Sequence, residues 1–232
     1  MKTESRRGVI RWLVKSFVFF VLLPALSLFI FSGDWEWGAA WVYVAVSVVN
    51  LVGNALVLIP TSPELLVERS RLQEGTKSWD RLLSASMALF GPLLMLLVAG
   101  LDRGAGGAVQ GSLAGQAVAL VAMVLGMGLG LWAVGSNAFF SGTVRIQEDR
   151  GHEVVTGGPY RFVRHPGYVA AILFDLATPV LLGSLWALVP AAVTVVVIVV
   201  RTALEDRTLQ AELPGYVEYV RNTRYRLVPG VW

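Results

Sequence analysis

YVAAILFDLATPVLLGSLWALVPAAVTVVVIVVRTA, residues 168–203, contains two apolar runs that meet at Gly183 and Ser184. The first run covers residues 168–182 and the second covers residues 185–203. Glycine and serine between two apolar helices allow the chain to turn tightly. The pattern therefore predicts a helical hairpin.

The rest of the chain is also apolar. Of its 232 residues, 55% are hydrophobic and only 15% are charged, and its mean hydropathy is +0.64. An ordinary soluble domain carries more charge on its surface. Runs of roughly 20 apolar residues, the length that crosses a bilayer, recur before the hairpin; they lie at about 12–31, 37–59, 82–101 and 113–135. We therefore predict an all-α, polytopic membrane bundle of about six transmembrane helices.

The loops between these spans fall into two sets. Six crossings place the basic N-terminus, residues 64–81, residues 145–164 and the C-terminus on one side of the membrane. Residues 34–36, the loop at 102–111 and the Gly183 turn lie on the other side. Lys and Arg are enriched in cytoplasmic loops. We therefore expect both termini to be cytoplasmic, in a cytoplasmic (inner) membrane.

The chain divides into two parts at about residue 140. Residues 1–140 hold four spans and the charged segment 60–81, in which Leu65, Leu66 and Leu72 stand among charged residues. This segment is either a short helix on the membrane surface or a solvated loop. Residues 141–232 hold a polar segment, the hairpin and a charged tail.

A polar string, GPYRFVRHPGY at residues 158–168, immediately precedes the hairpin. Gly158 relaxes the backbone and Pro159 then fixes it. Arg164 and His165 place positive charge at the start of the next helix, where an anionic group is favoured. Arginines beside a span also commonly set topology or contact lipid phosphates.

The second arm of the hairpin ends in RTALEDRTLQAELPGY, residues 201–216. Arg201 and Glu205 share a helix face and would ordinarily form a salt bridge, with Asp206 beside them. Ionisable groups that face a bundle where a helix leaves the bilayer are often functional. At about 1.5 Å per residue, Tyr168 lies roughly 23 Å and Arg201 roughly 26 Å from the turn. The polar ends of both arms are therefore expected to form one site at the mouth of the hairpin.

Other kinds of site are disfavoured. Two histidines and no cysteine argue against a metal centre, and none is expected. Gly126 and Gly130 lie in LGMGLGLWAVG, but no strand precedes this stretch, which favours helix packing over a nucleotide-binding loop. Asp175 lies within an apolar run and requires a partner or a wet cavity there, and a substrate role is the alternative.

The segments HEVVTGGPYRFVRHPGY, residues 152–168, and RTALEDRTLQAELPGYVEYVRNTRYRLVPGVW, residues 201–232, flank the hairpin. In this order they resemble the isoprenylcysteine carboxyl methyltransferase family and its phospholipid methyltransferase relatives. The first four spans match that family only in general character. The resemblance implies an integral membrane enzyme that uses S-adenosylmethionine, with its cofactor pocket at the cytoplasmic face.

The resemblance also implies roles for individual residues. The expected cofactor-binding residues are Gly158, Pro159, Tyr160, Arg164, His165, Tyr168 and Glu205. The expected catalytic residues are Arg201, Glu205 and Asp206, at the meeting point of cofactor and lipid substrate. The family usually has two glutamates where this chain has Glu205 and Asp206, so the role of the shorter Asp206 stays open.

The implied reaction is methyl transfer to a lipophilic acceptor, either an isoprenoid carboxylate or a lipid head group. Arg201 would orient a carboxylate, which needs no base, whereas an amine would need Glu205 or Asp206 as a base. The alternatives are an NADPH-dependent sterol or isoprenoid reductase and a non-enzymatic lipid-binding protein. We expect a lipid substrate and membrane lipids as partners, but no nucleic acid and no obligatory protein partner.

Overall fold

The computed structural model describes residues 3–70, 74–107 and 112–232. Within these ranges the chain forms helices, turns and loops, and no strand is present. Arg71 and Leu72 of the charged segment and residues 108–111 of the glycine-rich loop lie outside the described residues. The helices are α1 (Thr3–Phe17, Val18–Leu22 and Leu23–Ser32), α2 (Gly38–Thr61), α3 (Pro63–Arg69), α4 (Ser78–Ala85, Ser86–Phe90 and Gly91–Gly104), α5 (Leu113–Gly135), α6 (Pro166–Leu182), α7 (Leu188–Glu212) and α8 (Tyr216–Asn222).

The predicted polytopic helical bundle is confirmed. Helices α1, α2, α4, α5 and α7 are long and apolar enough to cross a membrane, so the chain is an integral membrane protein. The sixth expected span is α6, which is apolar but has only 17 residues. The hairpin turns at Gly183, whose φ of 72° is in the left-handed region that favours glycine.

Helices α1 and α4 each contain one turn of π-helix just before a proline. Residues Val18–Leu22 precede Pro24, and residues Ser86–Phe90 precede Pro92. Proline lacks an N–H, and its ring clashes with the carbonyl group four residues earlier. The wider π turn accommodates the ring. Both spans therefore continue through their prolines.

Small residues bring α5 and α6 into close contact. Gln116 donates to the carbonyl oxygen of Leu181 at 3.1 Å, and Gly126, later in α5, lies against Ala170, earlier in α6, so the two helices run antiparallel. A Cβ added at Gly126 would lie 3.0 Å from the carbonyl oxygen of Ala170, and one at Gly130 would lie 3.5 Å from the Ala170 Cβ. The predicted helix-packing role of these glycines is confirmed.

The charged segment after α2 folds into the bundle. Its short helix α3 buries Leu65 and Leu66 completely, against Val9, Trp12 and Leu58. A solvated loop would leave both leucines in water. Residues Pro63–Arg69 of this segment are therefore a short helix packed against α1 and α2.

Polar contacts connect the loops at each end of the bundle. Arg103 contacts Asp34 at 2.8 Å near the Gly183 turn, where the Ser184 hydroxyl also contacts Asp102 at 2.6 Å. At the opposite end, Lys77 contacts Glu212 at 2.7 Å. These contacts agree with the two expected sets of loops, and the cytoplasmic location of the set that contains Lys77 and Glu212 stays a prediction.

Candidate active site at the hairpin mouth

A cavity of about 260 Å³ lies at the mouth of the hairpin. Its walls come from the polar loop between α5 and α6, from the start of α6, from the polar end of α7 and from α8. We call it the mouth cavity. The predicted site residues that line it are Tyr160, Arg164, His165, Tyr168, Arg201 and Glu205. The structure thus brings the polar ends of both hairpin arms to one cavity.

Arg201 is fixed in the wall of the mouth cavity and is only 2% exposed. Its Nε donates to Asp80 Oδ1 at 2.6 Å, and its Nη2 donates to Asp80 Oδ2 and to the Gly142 carbonyl oxygen, both at 3.1 Å. Its Nη1 donates to the Tyr168 hydroxyl and to the Met87 sulfur. These contacts occupy all five N–H groups of the guanidinium. A substrate carboxylate could bind Arg201 only by displacing one of these partners.

Tyr168 connects Arg201 to Glu205. Its hydroxyl accepts from Arg201 and donates to Glu205 Oε2. The ring of His165 stacks on the ring of Tyr168, with centroids 5.6 Å apart and planes at 9°. Glu205 is only partly buried. Its carboxylate is therefore held at the cavity wall in a fixed position.

Asp206 lies behind this wall, fully buried, and is not among the described residues that line the mouth cavity. Arg164 donates to both of its oxygens, at 2.7 and 3.0 Å. Arg226 contacts it at 2.9 Å, the Tyr216 hydroxyl at 3.1 Å and His165 Nε2 at 3.4 Å. The carboxylate thus crosslinks α7 to the segments before α6 and around α8. This geometry is that of a positioning residue, and the direct chemical role of Asp206 stays a prediction from the sequence.

Gly158 and Pro159 form a 3₁₀ turn and are not among the described residues that line the mouth cavity. Gly158 has a φ of 58°, and a Cβ there would lie 2.9 Å from the Ser136 Cβ. Its close neighbour is therefore the end of α5. Tyr160, from the same turn, does line the cavity, and burial raises the pKa of its phenol.

Sequence reasoning missed Asp80. This residue is fully buried in the first turn of α4, and besides Arg201 it accepts from the backbone N–H of Val144 at 2.7 Å. Its carboxylate therefore joins α4, the polar loop and α7. An acidic residue at the start of an apolar span was the only available signal for it.

Sequence reasoning also missed His152, which lines the mouth cavity. Its ring lies 4.7 Å from that of Phe139, and its Nδ1 accepts from the Gln147 backbone N–H at 3.3 Å. Burial lowers the pKa of His152, and the positive charges of Arg150 and Arg145 lower it further. The imidazole is therefore neutral at pH 7.

A second cavity of about 330 Å³ lies among the spans, between α1, α2, α4, α5 and α6. We call it the span cavity. Asp175 lines it, which meets the expectation of a cavity for this buried carboxylate. Its walls are mainly apolar and include Trp12, Phe20, Leu51, Met95, Val134 and Phe174. The walls shared with the mouth cavity are Arg69, Met87, Ala88, Phe140, Gly167 and Ala171. The two cavities therefore adjoin.

No curated protein matches the chain. Residues 117–211 match the model of the isoprenylcysteine carboxyl methyltransferase (ICMT) family. This segment covers most of α5, the polar loop, α6 and nearly all of α7, and it supplies most of the residues around the mouth cavity. Residues 117–211, which supply most of the walls of the mouth cavity, are therefore similar to the isoprenylcysteine carboxyl methyltransferase family.

Proposed function

We propose that the chain is an S-adenosylmethionine-dependent methyltransferase that acts on a lipophilic acceptor at the cytoplasmic membrane interface. The observation that carries this proposal is the pair of adjoining cavities. A polar methyl donor arrives from water and a lipid acceptor arrives from the bilayer, so their reaction needs two such compartments with a shared wall. The family match supports methyl transfer as the chemistry.

The residues of the mouth cavity fit such a donor. The partly buried carboxylate of Glu205 suits a positively charged sulfonium or amino group. The rings of Tyr168 and Phe139 also line the cavity, with the imidazoles of His165 and His152 packed against them. When bound, the donor supplies an electrophilic methyl group. The residues expected to hold it are His165, Tyr168 and Glu205, with Tyr160 as a further wall.

The chain's own contribution is mainly positioning, which supplies much of the rate in an in-line displacement. Asp80 fixes Arg201, Arg201 fixes Tyr168, and Tyr168 fixes Glu205. Asp206 holds the ends of both hairpin arms together from behind. Glu205 is the carboxylate placed to act as a base if the acceptor is an amine.

Binding of S-adenosylmethionine and of NADPH to the detergent-purified protein tests this proposal. We expect S-adenosylmethionine to bind and NADPH not to bind. Glu205→Gln should weaken donor binding about tenfold, because one charge-assisted contact is lost. Glu212→Gln is the matched control, since this glutamate is on the same helix with its side chain 43% exposed. The control should bind the donor as the unmodified protein does.

Two results would contradict the proposal. One is NADPH binding without S-adenosylmethionine binding, which would favour a reductase. The other is unchanged donor affinity in both Glu205→Gln and His165→Ala. Incubation with labelled donor and extracted lipids, followed by mass spectrometry of the methylated product, would then identify the acceptor.

A further inference from the structure

Arg69, the last residue of α3, lines both the mouth cavity and the span cavity. Its Nη1 is buried and has no hydrogen-bond partner among the residues that the structure describes. The guanidinium lies over the ring of Phe140, 5.6 Å from its centroid. A buried donor without a partner costs free energy that a bound acceptor would recover.

The neighbouring buried arginines do have carboxylate partners. Arg145 contacts Glu68 at 2.7 Å, and Arg164 contacts Asp206 at 2.7 Å. The N–H groups of Arg201 are all occupied, as described above. Arg69 forms no ion pair with a carboxylate in the described part of the chain. Among these four arginines in the described part of the chain, Arg69 is therefore the one with a buried guanidinium donor free to bind a ligand.

Arg69 remains a cation despite its burial. Burial lowers the pKa of its guanidinium to about 10, which still leaves it protonated at neutral pH. A partly buried cation whose buried Nη1 has no acceptor is unfavourable, so a ligand that brings a negative charge gains affinity there. The planar fork of arginine matches the oxygens of carboxylates and phosphates.

The walls of the span cavity indicate which chemical group the ligand carries beside its anionic head. Phe140, over which Arg69 lies, is one of these walls, and further apolar walls include Trp12 and Val134. An apolar chain is the ligand part that such walls accommodate, because it is removed from water without losing hydrogen bonds. A ligand that fills the cavity and reaches Arg69 is therefore an anionic amphiphile.

We propose that Arg69 binds the anionic head, a carboxylate or a phosphate, of the lipophilic acceptor whose apolar chain occupies the span cavity. The proposal rests on the proposed function in calling this ligand the methyl acceptor. Arg69 lies outside the family match, so its role is a property of the first part of this chain.

Three lipids with the same long brominated acyl chain and different heads test the proposal. The heads are a carboxylate, a monophosphate and a neutral alcohol, and binding is measured by quenching of tryptophan fluorescence, because Trp12 lines the span cavity. We expect at least one anionic lipid to bind the unmodified protein about tenfold more tightly than the alcohol. The preferred anion then distinguishes a carboxylate ligand from a phosphate ligand.

Arg69→Gln should abolish this preference, and Arg69→Lys should retain part of it. Arg81→Gln is the matched control, because Arg81 is exposed and lines neither cavity. Equal binding of the charged and neutral lipids to the unmodified protein would overturn the proposal. An unchanged preference in Arg69→Gln would also overturn it.

Donor binding by the same variants separates this proposal from the proposed function. We expect Arg69→Gln to bind S-adenosylmethionine within about twofold of the unmodified protein. A large loss of donor affinity with an unchanged lipid preference would assign Arg69 to the donor and overturn the proposal. If the unmodified protein binds no donor but shows Arg69-dependent lipid selectivity, the proposed function fails and the anion site stands.

Discussion

Replacing Asp80 with asparagine tests whether the pair between α4 and α7 stabilises the site. The side chains of Arg201 and Asp80 are 3% and 0% exposed, and their closest contact is 2.6 Å. Asp80→Asn keeps the volume but leaves Arg201 as a buried charge without a counterion. Removing one partner of a buried pair costs about 3–5 kcal/mol. We expect the free energy of unfolding to fall by about that amount.

Asp34→Asn is the matched control. Asp34 pairs with Arg103 at the other end of the bundle, where the two side chains are 30% and 32% exposed. Ion pairs with that exposure contribute about 0–1 kcal/mol. Denaturant titration in mixed micelles would compare the variants, and Asp80→Asn should be less stable than Asp34→Asn by at least about 2 kcal/mol.

A double variant sharpens the test. Asp80→Asn combined with Arg201→Met removes both charges of the buried pair, so neither partner is left as an unpaired charge in the wall of the mouth cavity. It should therefore recover part of the stability that Asp80→Asn loses. The reasoning is refuted if Asp80→Asn and Asp34→Asn lower the free energy of unfolding by the same small amount. It is also refuted if the loss in the double variant equals the sum of the losses measured for Asp80→Asn and Arg201→Met alone.

Three further predictions concern the helix packing, the pH dependence and the mouth cavity. Gly126→Val should destabilise the bundle by about 1–3 kcal/mol because its side chain would press on α6. Gly128→Val is the control and should be nearly neutral, since a Cβ there meets nothing within 4 Å. Equal losses of unfolding free energy in the two variants would contradict the packing argument. The pKa of His152 in the folded protein lies below its ordinary value of 6.5. Below pH 6.5 the unfolded chain therefore binds more protons than the folded protein does. The contribution of His152 to stability should be fully present above pH 6.5 and should be lost as the pH falls towards the folded pKa. Unfolding measured at pH 7.5 and at pH 5.5 should show this loss for the unmodified protein and less of it for His152→Gln. Tyr168→Phe should weaken donor binding about tenfold by calorimetry, because Glu205 loses the hydroxyl that fixes it, and unchanged affinity would show that this contact is dispensable.

The apolar spans could be predicted well from the sequence. The fourth predicted span, residues 113–135, coincides with α5 (Leu113–Gly135), and the hairpin turns at Gly183 as expected. The length of an apolar run is set by the bilayer, so hydropathy alone locates it. Hydropathy does not locate the end of the helix itself. The second arm was predicted to end at residue 203, but the helical hydrogen bonds of α7 continue through charged residues to Glu212.

The candidate site could be predicted only in part, because sequence spacing shows contacts along one helix and not between distant segments. Arg201 and Glu205 form an i, i+4 pair, yet Arg201 bonds to Asp80, 121 residues away in sequence. Glu205 and Asp206 are adjacent, so on a helix of 3.6 residues per turn their side chains point about 100° apart. One of them therefore faces the mouth cavity and the other faces the protein behind it.

The two parts of the chain contribute differently to the proposed reaction. The segment of the family match carries most of the mouth cavity, and hence the residues expected to hold the donor. The span cavity takes many of its walls from α1, α2 and α4, and Arg69 comes from α3. All of these precede residue 117, where the match begins. Substitutions in the first part are therefore expected to change which lipid is bound, while substitutions of His165 or Glu205 change whether the donor is bound.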